Sequence, residues 1–393
     1  MSLPNQPSAR FHDHGLASRI AQRALSSPAV LFLGALGLLL AHLTGRLPLS
    51  EFGGYDAQFY YRMASTVGLD QVPAPFAYRW LPHELIPYLR LEPKRVYEIV
   101  TILAFVVASL GLRRFLIVRG STPTVATALV VLGFLWARWG ARFYCWYRVG
   151  TDPMAYALIV WGLVYAERKN ILGLCTIGMV GAMCREYTIL LFPYYMVRHG
   201  LRSKTDLLTG VLVALPCIAV FALVRMLSPG TGDYSLLIAA SQSLATKFGS
   251  LGELARLLAC ILTHLGLTTV LLMMFPRTTF RLLLHNPEIA LWVGATLAIG
   301  LIGGTDTDRL MFYAFPGELV LLSRLLSEKR LLTSQYYPFL AIAAVGQIAI
   351  SETFSERLTP ANIAGLWNLA WVAVWSMALA TTFLACKSRV SNS

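Results

Sequence analysis

Apolar residues recur along this chain in runs of helical length, separated by short polar segments. The runs lie near residues 29–45, 96–112, 123–140, 153–166, 171–184, 187–198, 207–227, 255–275, 288–303, 310–326, 336–351 and 364–385. Read as helices, they predict an all-α polytopic membrane protein of about twelve spans. A straight span needs about 20 residues. The runs at 153–166, 171–184 and 187–198 fall short of that. They are therefore expected to be tilted, broken or re-entrant, which is tolerated only where protein or a water-filled cavity covers the backbone. The first run starts near residue 29 without a small-residue cleavage site, so it reads as a span and not as a removed leader. The organisation expected is a cytoplasmic segment 1–28, a transmembrane domain 29–386 with a long outer loop at 46–95, and a cytoplasmic tail 387–393. The aromatics and prolines of that loop predict short interfacial helices.

Composition supports the same class. Hydrophobic residues make up 56% of the chain and charged residues 13%, with a mean hydropathy of +0.60. Soluble domains carry about 25% charged residues, so a soluble protein is set aside. The net charge of +13 is concentrated in short segments such as "RRFLIVR", "ERKN", "RHGLRSK", "PRTTFR", "RLLSEKR" and "KSR". Placed on one side, these put both termini in the cytoplasm by the positive-inside pattern. "ARWGARFYCWYR", with three arginines in an outer loop, is the exception. The basicity matches inner-leaflet anchoring, and no nucleic-acid motif accompanies it. The six cysteines form no CxxC pair, and Cys175, Cys184, Cys217 and Cys260 sit in or beside spans, as small packing residues do.

Four polar clusters fall on the predicted outer face. The first is "GYDAQFYYRMA", which sets Asp56 among Tyr55, Gln58, Phe59, Tyr60 and Tyr61. "WYRVGTDPMAY" brings Arg148 and Asp152, and Asp152 before Pro153 is also a helix-start signal. "CREYTILLFP" places Arg185 and Glu186 between two apolar runs, and "GGTDTDRLMFYAFP" opens a span with Asp306, Asp308 and Arg309. Charges at membrane depth are costly and mark function, so four clusters on one side point to one shared cavity. Plainer roles stay open for each. Asp152 and Asp308 suit helix caps, Arg185 and Glu186 a turn anchor, the tyrosines an interfacial belt, and Arg79 in "AYRWLPHEL" a lipid-phosphate anchor. His83 beside Glu84 finds no matching metal ligands and reads as a surface residue.

"GYDAQFYYRMA" resembles the first outer-loop motif of the polytopic GT-C-type glycosyltransferases, bacterial members of which build cell-surface glycopolymers from polyprenyl-phosphate sugars. Many carry a "DGQFYY"-like string there; Ala57 stands in place of the glycine. "FAYRWLPHELIPYL", "GTDPMAY" and "CREYTILLFP" resemble further segments of the family. The motif likeness covers residues 53–62, 76–87, 150–156 and 184–193. It implies that Asp56 is the general base of an inverting transfer. Such a reaction also needs cations or a divalent metal where the leaving phosphate gains charge. Arg79, Arg148, Arg185 and Arg309 are the candidates, since the guanidinium fork fits phosphate; no cofactor is assigned. Tyr55, Gln58, Tyr60, Asp152, Glu186 and Asp308 are the expected substrate contacts. The implied partners are a polyprenyl-phosphate-sugar donor, a glycan or lipid-linked acceptor and membrane lipid, at the outer face of the bacterial cytoplasmic membrane. Two other readings stand beside it: a lipid-sugar flippase or transporter that uses the same acids, with Glu318 and Arg225 as its markers, and a non-catalytic scaffold with the same fold.

Overall fold

The computed structural model describes residues 57–65, 76–81, 83, 86–89, 91–137, 140, 151–200, 203–228, 236–303, 307–353 and 361–391. Among them every regular element is helical. Chain order runs α1 (Ala57–Ser65), α2 (Pro93–Val118), α3 (Pro123–Leu129, extended by a π turn to Leu135), α4 (Asp152–Glu167), α5 (Ile171–Ala182), α6 (Leu191–His199), α7 (Lys204–Leu227) and α8 (Leu236–Phe248). It continues through α9 (Leu251–Thr263), α10 (Leu267–Met274), α11 (Pro276–His285), α12 (Pro287–Ile302), α13 (Thr307–Met311), α14 (Phe315–Glu328), α15 (Tyr337–Thr353) and α16 (Ala361–Ser391). Three stretches are long and apolar enough to cross a bilayer: Arg95–Val118, Lys204–Leu227 and Arg309–Glu328. Two bent pairs raise that to five if each is one span, Leu251–Leu262 with Leu267–Met274 at 85° and Pro276–His285 with Pro287–Ile302 at 112°. The apolar run at 29–45 lies outside the described residues.

The helix ends follow from local chemistry. Prolines open α2, α3, α4, α11 and α12 in their first turn, where the missing N–H has no intrahelical partner to lose. Thr122, Ser203 and Ser250 cap α3, α7 and α9 by accepting from the N–H of Val125, Asp206 and Glu253. At the other ends, α2, α4 and α14 close with one motif. Gly120 (φ +96), Lys169 (φ +53) and Arg330 (φ +52) turn left-handed, and Ser121, Asn170 and Leu331 donate back to Leu116, Tyr165 and Leu326. These three ends are the basic segments "RRFLIVR", "ERKN" and "RLLSEKR", whose cations complement the negative end of the helix dipole.

Helix α4 is apolar all round and buried along its length, as expected for a helix enclosed by others. It packs closely on α2, where the Trp161 indole donates to the Val107 carbonyl at 3.0 Å. Gly111 permits this: a Cβ there would lie 2.8 Å from the Trp161 ring nitrogen and the Val160 side chain. With 16 residues, α4 sets its two terminal acids, Asp152 and Glu167, about 22 Å apart. Each acid is the hub of a buried charge network, so the helix set has two polar poles.

The Glu167 pole gathers the basic segments. Arg119 meets Glu167 at 2.9 Å and Glu288 at 2.6 Å and donates to Asn286 at 2.8 Å. Arg198 reaches Glu167 at 3.2 Å, and the Tyr194 hydroxyl donates to it at 2.5 Å. Burial opposes the charge on Arg119, but Tyr194, Glu167 and Glu288 outweigh it and hold the guanidinium above its usual range. Removing one partner of such a buried pair strands the other at a cost of about 3–5 kcal/mol. Arg119→Ala is therefore expected to lower the thermal midpoint of the purified protein clearly, and an unchanged midpoint would mean that this network carries no stability.

Candidate active site at the Asp152 pole

The second pole is assembled from five chain segments. Helix α1 turns Tyr60, Met63 and Ala64 inward at the i, i+3, i+4 spacing of one face. The Tyr60 hydroxyl accepts from Arg79 Nη1 at 2.6 Å, and its ring stacks on His83 with centroids 4.2 Å apart. The segment that carries Arg79 is fixed at both sides. Leu81 N–H donates to the Met183 carbonyl at 3.0 Å, and the Trp80 indole donates to the Ser228 hydroxyl at 2.5 Å beyond α7. Phe76 stacks on Phe59 of α1 at 4.7 Å.

After α5 the chain breaks. Arg185 is extended (φ −156, ψ 141) and Glu186–Leu190 form a 3-10 turn before α6. The break swings Arg185 onto Asp152, the first residue of α4, at 2.6 Å to Oδ1. The Tyr313 hydroxyl donates to the same oxygen at 2.6 Å, and Arg309 Nη1 lies 3.9 Å from Oδ2. Tyr187 stacks on Tyr313 at 4.0 Å and donates to the Leu310 carbonyl at 3.3 Å. Arg79 Nη2 stands 3.8 Å from Glu186 Oε1, which joins the Asp152 group to the Tyr60 group. Glu186 is the open side of the network, with a third of its side chain exposed.

Among the described side chains this pole holds Arg79, Arg185 and Arg309 against Asp152 and Glu186, an excess of one positive charge. Arg225, exposed at the end of α7, lies over the Phe221 ring at 3.9 Å and the Tyr78 ring at 5.1 Å, and its field reaches Glu186. A cationic excess in a low-dielectric pocket favours an anionic ligand. Burial works against the Glu186 carboxylate, yet Arg79 and Arg185 outweigh it and keep it ionised below the usual range. Burial, then Arg79 and Arg185, hold His83 well below the usual histidine range, so its ring is neutral. Its tautomer follows from its neighbours. Tyr97 donates its hydroxyl proton to the Tyr60 carbonyl at 3.0 Å and so accepts from His83 Nδ1 at 2.5 Å. That leaves the lone pair on His83 Nε2. It has no partner among the described residues, and neither have the buried Nε of Arg79 and of Arg185.

Of the residues expected from the sequence, the structure brings Arg79, Arg185, Arg309, Asp152, Glu186 and Tyr60 together. Asp56, Tyr55, Arg148 and Asp306 lie outside the described residues; Gln58 and Asp308 belong to α1 and α13, with side chains outside them. Three readings are corrected. His83, read as a surface residue, is fully buried between Tyr60 and Tyr97. Arg79 does not reach out to lipid but turns inward to Tyr60 and Glu186. Asp152 starts α4 as its "DP" signal predicts, but Thr151 holds the N-cap position and the Asp152 carboxylate goes to Arg185 and Tyr313. Tyr313, Tyr187 and Tyr97 carry no distinguishing signal in the sequence, because within "LMFYAFP", "REYTI" and "KRVYEI" they look like ordinary packing or belt aromatics. Among the described residues no group of three or more His, Cys, Asp or Glu is placed to hold a metal ion. Compared with known proteins, the chain matches no family model, no curated protein and no solved structure.

Proposed function

We propose that this chain is a membrane glycosyltransferase that moves a sugar from a polyprenyl-phosphate donor to a lipid-linked or cell-surface glycan acceptor with inversion. The observation that supports it most is the clustering of Arg79, Arg185 and Arg309 with Asp152, Glu186 and Tyr60 at one pole, all but Arg309 on the chain segments that carry the family-like motifs. In this reading Asp56, the residue before α1, takes the proton of the acceptor hydroxyl as its oxygen attacks the anomeric carbon. The bond from that carbon to the phosphate oxygen breaks, and polyprenyl phosphate leaves with the bonding pair. The arginines hold its growing charge. Asp152, itself held by the Tyr313 hydroxyl, fixes one terminal nitrogen of Arg185 and leaves its Nε–H for phosphate. Arg148 joins this group, and Tyr55, Gln58, Tyr60, Glu186 and Asp308 line the sugar and lipid headgroup. No metal is assigned.

The same proposal sets the chain in the bacterial cytoplasmic membrane with about twelve spans, counting the shorter helices α3, α4, α5, α6 and α15, and gives residues 46–95 interfacial helices. The Asp152 pole then faces outward and the Glu167 pole the cytoplasm, where the basic helix ends belong. A cysteine introduced at Asp70 is expected to react with an impermeant reagent in intact cells. Protection until lysis would turn the molecule over and remove the outward-facing site. The transport alternative separates by its product: a flippase moves the lipid-sugar across proteoliposomes unchanged, whereas a transferase releases polyprenyl phosphate.

A further inference from the structure

The sequence run at 255–275 reads as one span, but its helix breaks at His264, Leu265 and Gly266, and α9 and α10 meet at 85°. Gly266 makes the break possible. Its φ is +61, and a Cβ there would clash with the side-chain amide of Gln347. A bend at membrane depth strands backbone groups that must find partners inside the protein. Gln347 of α15 supplies them, accepting from Leu267 N–H at 2.7 Å and donating to the Leu265 carbonyl at 3.5 Å. A neutral amide therefore closes the break without help from any charge.

Beside it stands a pair the break does not require. His264 (1% exposed) and Glu318 of α14 (3% exposed) meet at 2.9 Å between Nε2 and Oε1. His264 Nδ1 lies 2.8 Å from the Ile261 carbonyl, which can only accept, so Nδ1 carries a hydrogen. The other Glu318 oxygen accepts from the Thr269 hydroxyl at 3.0 Å. With Nδ1 already carrying a hydrogen, one further proton lies in the contact between Nε2 and Oε1, and imidazole, by its ordinary value the stronger base of the two, takes it as an imidazolium facing the carboxylate. The groups set against the pair are Thr269 from α10 and, through the break, Gln347 from α15, with Cys260 one turn earlier on α9. Glutamine at position 318 would satisfy His264 and Thr269 with no charge. Buried ion pairs are often less stable than neutral replacements, and charges at membrane depth mark function.

We propose that His264, Glu318 and Thr269 form a binding site for one exchangeable proton within the membrane, and that its occupancy latches the bent α9–α10 span to the Arg309–Glu328 span, which also carries Tyr313. Glu318 lies nine residues after Arg309, about 14 Å along the same span. Loss of the Nε2 proton to water leaves a lone pair facing a carboxylate at 2.9 Å, which drives the two helices apart. This inference does not depend on the transferase reading, and its test involves no sugar.

The test uses the full chain in lipid nanodiscs with 15N-labelled histidine, observed by NMR at pH 8.5. Of the seven histidines, solvent-exposed rings are neutral there, since their ordinary value is about 6.5. The wild-type protein is expected to show one ring with both nitrogens protonated. In E318Q that signal is expected to be replaced by a ring protonated at Nδ1 alone. The wild-type thermal midpoint is expected to fall as alkaline pH removes the signal, while E318Q lacks that step. A wild-type spectrum with every ring singly protonated would overturn the proposal whether or not E318Q folds. A doubly protonated ring that survives in E318Q would overturn the assignment to this pair. Midpoints that follow pH alike in the two proteins would overturn the latch.

Discussion

Asp56→Asn is expected to fold and to bind a polyprenyl-phosphate sugar, and to transfer the sugar about 100- to 10,000-fold more slowly than the parent, the usual worth of a positioned general base. The change is nearly isosteric and removes only the charge that accepts the proton. It changes no residue of the Asp152 pole, and donor affinity and the thermal midpoint are both expected to be kept. The measurement is a single-turnover transfer assay on purified protein, with donor binding measured in parallel. Near-parental transfer by Asp56→Asn would mean that the base is elsewhere. His83, neutral and with its Nε2 lone pair unpartnered among the described residues, would then be the next group to test.

Asp152→Ala is expected to be worse in a different way. Its carboxylate is met by Arg185, Tyr313 and Arg309, and both members of the Asp152–Arg185 pair are buried. Removing the acid strands a buried guanidinium at a cost of about 3–5 kcal/mol. Even Asp152→Asn, harmless had Asp152 been a helix cap, deletes the charge that Arg185 faces and is expected to weaken donor binding together with stability. Arg185→Ala should cost a similar amount, and Arg185→Lys should restore charge but not the fork. In a double-mutant cycle the paired change is expected to cost much less than the sum of the single changes, because neither partner is left alone. Additive losses would show that the two residues act separately, and an Asp152→Asn protein with full stability and donor binding would return Asp152 to the role of a helix-start residue.

Much of the fold is legible in the chain because membrane burial writes itself as apolar runs. The 96–112, 207–227 and 310–326 runs coincide with the three spans at Arg95–Val118, Lys204–Leu227 and Arg309–Glu328. The short runs at 153–166 and 171–184 are helices of 16 and 12 residues. The break at Arg185–Glu186 was marked by the only charges between two apolar runs. The bend at Gly266 was hidden, since hydropathy passes straight through "CILTHLGLTTV" and does not register a positive φ. Charge networks were hidden for a related reason. Glu167, Arg198 and Glu288 read as separate residues in short inner segments, and nothing in their spacing says that they join Arg119 in one network. The burial of His83 is not legible in the chain, because the aromatic ring that stacks on it comes from Tyr60, 23 positions away.

The most direct test of the central claim is release of polyprenyl phosphate. The purified full-length protein is incubated with a panel of polyprenyl-phosphate hexoses and pentoses and with lipid extracted from bacterial envelopes as acceptor, and the lipid products are followed by mass spectrometry. The account predicts that at least one donor yields free polyprenyl phosphate together with a glycosylated acceptor, and that Asp56→Asn abolishes both products while still binding that donor. Movement of an intact donor across proteoliposomes, with no polyprenyl phosphate released from any member of the panel, would contradict it and make the protein a transporter.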